Sequence, residues 1–163
     1  MYELSQCFFT KFNHIFSEDS EYYHHAIEYY SSNTDFTHFI IQRINQIIEI
    51  MGEGKFTAQN EYYRIDAVGY SKENLDSSIF LHPHLWNLEI AVEHENSSKD
   101  WLDEVIKLAH ICCPLRVVIG YVPVEHRDLG DAERLAYAAS ALKRLKCSDN
   151  LKNGEFMIIL GNS

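Results

Sequence analysis

Three acidic residues stand where strand-forming sequence would normally exclude them. Asp66 lies among Ile65, Ala67 and Val68, and Glu93 and Glu95 close a segment, residues 86–95, in which apolar and polar residues alternate. A spacing of two on a strand puts Glu93 and Glu95 on one face, about 7 Å apart along the backbone. If the Asp66 segment pairs with theirs, up to three carboxylates converge at one end of a sheet. Two such charges about 5 Å apart repel by roughly 3 kcal/mol at an effective dielectric of about 20. A shared proton, a nearby Arg or Lys, or a divalent cation must offset that repulsion. Oxygen ligands without cysteine suit hard ions such as Mg²⁺ or Mn²⁺. The alternative is that Glu93 and Glu95 open into the loop Asn96-Ser97-Ser98 and are simply solvated.

The elements that must carry these residues follow from periodicity. Phe36, Phe39, Ile40, Ile44, Ile47, Ile48 and Met51 have helical spacing, with Thr34 or Asp35 as cap and Gly52 and Gly54 as the stop. Glu61 to Tyr70 is β-rich and reads as one strand, with a further short strand near Phe56. Residues 71–84 read as loop. Trp86 to Glu95 alternates as a strand, and Ser97 or Ser98 caps a helix carrying Trp101, Leu102, Val105, Leu108 and Ala109. Leu115–Val122 is nearly continuous in apolar residues, as a strand covered on both faces should be. A helix over 131–146 and a strand over 156–160 complete the chain. Residues 1–35, rich in Tyr, His and acids, predict one or two short helices, with Glu18, Asp19 and Ser20 at a helix start. The expectation is an α/β fold with a mixed central sheet flanked by helices, in a single domain: an N-terminal helical extension, 1–35, and a core, 36–163.

Arg64-Ile65-Asp66-Ala67-Val68, followed later by Ile90-Ala91-Val92-Glu93-His94-Glu95 and then a helix, resembles the restriction-endonuclease-like superfamily, PD-(D/E)XK. That fold has a helix, strands carrying an Asp and a (Glu/Asp)-x-Lys pair, a crossover helix and a further strand, and residues 34–122 follow a similar order. Ile65 replaces the leading Pro, and Glu95 stands where the motif has Lys, a Glu-x-Glu variant found in some type II restriction enzymes. The resemblance implies a restriction-endonuclease-like sheet and a divalent-metal-dependent phosphodiester hydrolase acting on DNA. Asp66 and Glu93 would bind Mg²⁺ or Mn²⁺, and Glu95 would orient or deprotonate the attacking water. Glu49, on the first core helix, would be an added acidic ligand. Lys99 or Lys107, from the following helix, would replace the missing lysine near the substrate.

Charge limits how such a protein would hold DNA. The chain carries 14 basic against 24 acidic residues, net −10, and the whole excess lies in the first hundred residues. That excludes a strongly basic nucleic-acid coat and a polybasic membrane anchor. Grip would have to come from bases clustered at the site, from metal, or from a homodimer or partner subunit. The competing reading is a catalytically inactive protein of the same fold that binds a basic partner through its acidic surface.

The remaining chemistry-bearing residues give weaker patterns. His82, His84 and His94 lack zinc spacing, and alternation turns His94 away from Glu93 and Glu95. His126 and Arg127 follow the 115–122 strand as secondary candidates. Lys143, Arg144 and Lys146 complement the end of their own helix. Cys112 and Cys113 are expected in the core, and the four cysteines form no disulfide framework, in keeping with a reduced, cytoplasmic protein without a secretory signal or membrane span.

Overall fold

The computed structural model describes residues 3–17, 33–71, 88–97, 100–122, 130–145 and 152–162. In chain order these form α1 (Glu3–Ile15), α2 (Asn33–Met51), β1 (Phe56–Tyr62), β2 (Ile65–Ser71), β3 (Leu88–Glu95), α3 (Trp101–Ala109), β4 (Leu115–Val122), α4 (Gly130–Arg144) and β5 (Glu155–Asn162). The strands make one sheet in the order β1-β2-β3-β4-β5. Strands β1 to β3 are antiparallel neighbours, whereas β3, β4 and β5 run parallel, with α3 and α4 in the connections. The fold is therefore α/β with a mixed sheet. No helix among the described residues is long and apolar enough to cross a membrane.

Helices cover both faces of the sheet, and the sequence periods show why. Phe39, Ile40, Ile44, Ile47 and Ile48 make one stripe of α2, which packs with Phe8 of α1 on Ala67, Ile90, Val92, Val117 and Ile119. On the other face, Trp101, Val105 and Leu108 of α3 and Ala138 of α4 meet Val68, Ala91 and Val118. Strand β4 lies between these two cores and is apolar almost throughout. Its exception, Arg116, is fully buried and donates from Nε to the Ile111 carbonyl at 2.6 Å. Gly120 of β4 has no side chain for a reason: a Cβ there would lie 2.7 Å from that of Trp101, so only glycine lets α3 settle this close.

Several expectations need correction. The stretch 61–70 is two strands and the turn between them. Tyr62 pairs with Ile65, and Tyr63 and Arg64 both have positive φ, 49° and 64°, as in a type I′ hairpin turn. Asn-Gly would have announced that turn; Tyr-Arg reads as strand. The residue before α3 is Asp100, which makes no side-chain cap bond, so Ser97 does not cap that helix. Ser98 lies outside the described residues. So do Glu18, Asp19 and Ser20, and the N-terminal helix described is Glu3–Ile15, upstream of them. Of the cysteine pair only Cys113 is buried; Cys112 is exposed.

Candidate active site

The β2–β3 register brings Asp66 and Glu93 together. Ala67 pairs with Val92, so one step further along the antiparallel ladder Asp66 stands across from Glu93. Asp66 Oδ2 accepts the backbone N–H of His94 at 2.8 Å, and its carboxyl group is within hydrogen-bonding reach of Glu93. Glu93 is 1% exposed, on the sheet face that α3 covers. Burial pushes its pKa up to about 8, with the neighbouring charges of Asp66 and Glu104 adding to the rise. Burial likewise raises Asp66, against the His94 hydrogen bond and the Lys107 charge, which pull it down.

Helix α3 supplies the balancing cation. Its apolar stripe of Trp101, Val105 and Leu108 faces the sheet, which leaves Glu104 and Lys107 at the stripe's edge. Lys107 Nζ lies 2.7 Å from Glu93 Oε1 and 2.9 Å from Glu104 Oε2. The ammonium is thus the partner of the buried Glu93 Oε1. Partial burial alone would lower the Lys107 pKa, but the two glutamates outweigh it and the net shift is upward. Lys107 is thus a charged donor and not a base at neutral pH.

The other residues singled out from sequence divide clearly. Glu95 does not join the pair: its Oε1 accepts the backbone N–H of Ser97 at 2.6 Å, which ties it to its own loop. Glu49 is exposed in the last turns of α2, near the level of Ile48, whose methyl group abuts Gly69. Phe36, near the start of α2, is the residue that packs by His94 at the level of the site, so Glu49, at the other end of the helix, is remote from it. Lys99, His82, His84, His126, Arg127 and Lys146 lie outside the described residues. His94 does face away from Glu93, as alternation requires. Its Nε2 is 2.9 Å from the Tyr121 hydroxyl and its ring packs near Phe36. Burial holds its pKa down to about 4.

A cleft of about 350 Å³ opens beside Asp66, lined by Thr34, Thr37, His38, Asn60 and Asn96 among others. These polar groups escaped sequence reasoning because they come from three separate elements. One signal was available: Glu104 and Lys107 are three apart on a helix, a spacing at which opposite charges meet.

The arrangement fits a hard cation in part. Asp66 and Glu93 provide two carboxylates, and Mg²⁺ commonly binds through one or two carboxylates, waters and a substrate phosphate, but Glu93 Oε1 is already held by the Lys107 ammonium. Among the described residues no group of three or more His, Cys, Asp or Glu side chains is arranged to hold a metal ion. No protein-family model, curated protein or solved structure matches the chain.

Proposed function

We propose that the protein is a divalent-metal-dependent phosphodiester hydrolase of the restriction-endonuclease-like PD-(D/E)XK type, acting on DNA. The observation that carries this reading is Lys107 Nζ at 2.7 Å from a buried Glu93, itself across from Asp66. The order helix, three strands, helix, strand in α2 to β4 supports it, because that is the order the motif resemblance implies. Asp66 and Glu93 would hold Mg²⁺ or Mn²⁺. When bound, such an ion polarises the scissile phosphate and lowers the pKa of water. Lys107, fixed by Glu93 and Glu104, offers its ammonium to the negative charge that develops on the phosphate. Glu95, in the place of the motif lysine, would orient the attacking water only on leaving the Ser97 N–H. Water adds to phosphorus and releases a proton to solvent, the bond to the leaving oxygen breaks, and that oxygen takes a proton from solvent water.

A second reading is an inactive relative that binds a basic partner through its acidic surface, as a subunit or regulator. The lack of a third grouped ligand among the described residues favours it. Thermal melts separate the two. Mg²⁺ or Mn²⁺ should raise the Tm of the wild type but not of Asp66→Ala or Glu93→Ala. Supercoiled plasmid with Mn²⁺ should be cut by the wild type and not by Glu93→Ala. Flat melts and no cleavage above the Glu93→Ala background would reject the hydrolase.

A further inference from the structure

The β1–β2 turn lies at the Asp66 end of the sheet and has residues its geometry does not favour. Glu61, Tyr63 and Arg64 all have left-handed backbones, with φ of 51°, 49° and 64°. Residues with a Cβ adopt that conformation at a cost, which Asn-Gly would largely avoid in a two-residue hairpin turn. Strain of this kind persists where a particular side chain is needed. Tyr63 is the most exposed of the large apolar side chains among the described residues, at 75%. Its ring is nonetheless braced: Tyr62, buried beneath it, meets it edge-on with centroids 4.9 Å apart and planes at 78°. The tip is three residues from Asp66, about 10 Å along the strand. Asn60 and Glu61, on its other arm, line the same cleft as Asp66.

We propose that this tip is a base-stacking contact, with Tyr63 covering the face of an unpaired nucleobase of a DNA substrate and Arg64 pairing with the phosphate beside it. A net charge of −10 repels a polyanion, so a DNA contact here has to rest on the base more than on the backbone. A chain so short of cations gains little from counterion release, whereas stacking on an aromatic ring needs no net charge. A braced, solvent-facing ring followed in the chain by an exposed arginine is the smallest unit that offers both. What becomes of the bound strand rests on the hydrolase reading; the binding itself does not.

The test compares a labelled oligothymidylate with a blunt duplex of the same length, by fluorescence anisotropy in Ca²⁺. The wild type should prefer the single strand. Tyr63→Ala should weaken that binding about tenfold or more. Arg64→Gln should flatten the dependence of log affinity on log salt by about 0.7. The double variant Tyr63→Asn with Arg64→Gly suits the turn better, so its Tm should rise while its single-strand affinity falls as far as that of Tyr63→Ala. A double variant with raised Tm and wild-type affinity would overturn the proposal, as would a wild type with no single-strand preference. Cleavage is read separately, on plasmid with Mn²⁺. Tip-dependent binding without cleavage would reject the hydrolase and leave the contact standing. Cleavage that needs Glu93, with tip variants binding like the wild type, would reject the contact and leave the hydrolase.

Discussion

Lys107 on α3 and Glu93 on β3 meet at 2.7 Å, the lysine side chain 34% exposed and the glutamate side chain 2%. A half-wet cation against a nearly dry carboxylate is an asymmetric pair. The buried member needs the partner far more than the exposed one does, and the lysine keeps a route to anything that enters from solvent.

Replacing that cation should cost both activity and stability. Lys107→Met is expected to lower the Mn²⁺-dependent plasmid cleavage rate about 100-fold. Lys107→Arg, which keeps the charge, should recover part of the loss. Because the substitution leaves the nearly dry Glu93 without that cation, the stability cost should be about 2–3 kcal/mol, read by urea unfolding. A cleavage rate within about threefold of wild type in Lys107→Met would remove Lys107 from the mechanism.

Glu93 should make the metal-free protein less stable as pH rises. Its folded pKa is about 8 against an ordinary 4.5, so between those values the folded state binds more protons than the unfolded one. Stability must then fall as pH increases through that window. Glu93→Gln cannot titrate. In EDTA, the Tm of wild type relative to Glu93→Gln should decline from pH 5 to pH 8. Burial of His94 tilts both proteins alike and cancels in the comparison. An unchanged difference across that range would show that Glu93 is not held in its acid form.

The carboxylate of Glu155 closes the first turn of α1 from the far end of the chain. It accepts the N–H groups of Leu4 at 3.2 Å and Ser5 at 2.8 Å. Burial works to raise its pKa, but these hydrogen bonds win and hold it below the usual carboxylate range. The stabilisation is therefore present above the ordinary value near 4.5 and is lost as pH falls through the lower, folded pKa. Glu155→Ala should cost about 1 kcal/mol at neutral pH, and the difference should shrink in acid. Urea unfolding at the two pH values checks it.

Gly120→Ala should disturb the site from a distance. The added Cβ would meet Trp101 Cβ at 2.7 Å and Cγ at 2.9 Å, and α3 must shift to relieve it. Overpacking of this kind costs about 1–3 kcal/mol. Since α3 also carries Lys107, cleavage should fall along with Tm. A fall in Tm with full activity would mean that the strain is absorbed elsewhere.

Much of the fold was legible in the residues. The α2 stripe from Phe39 to Ile48 and the alternation through Ile90 and Val92 each repeat a period that only one kind of element satisfies, and the short apolar run of β4 suits a strand covered on both faces. The turn at Tyr63-Arg64 was not legible, because neither residue type favours a left-handed backbone. Nor was the start of α3, where a candidate serine stands nearby but Asp100 occupies the boundary without capping it. At the site, the pairing of Asp66 with Glu93 was readable as a condition: it holds if their strands are neighbours.

By itself the amino-acid order determined which segments become helices and strands, where the acids sit along them and how few cations the chain has to offer. Those properties are local or additive, so they survive without knowledge of any contact. Only the tertiary structure decided that Ala67 pairs with Val92, that Glu95 bends back to Ser97, that Glu49 ends up remote and that Lys107 reaches Glu93. Register and helix seating are set by how whole faces pack, and a shift of one residue would have sent every one of these side chains elsewhere.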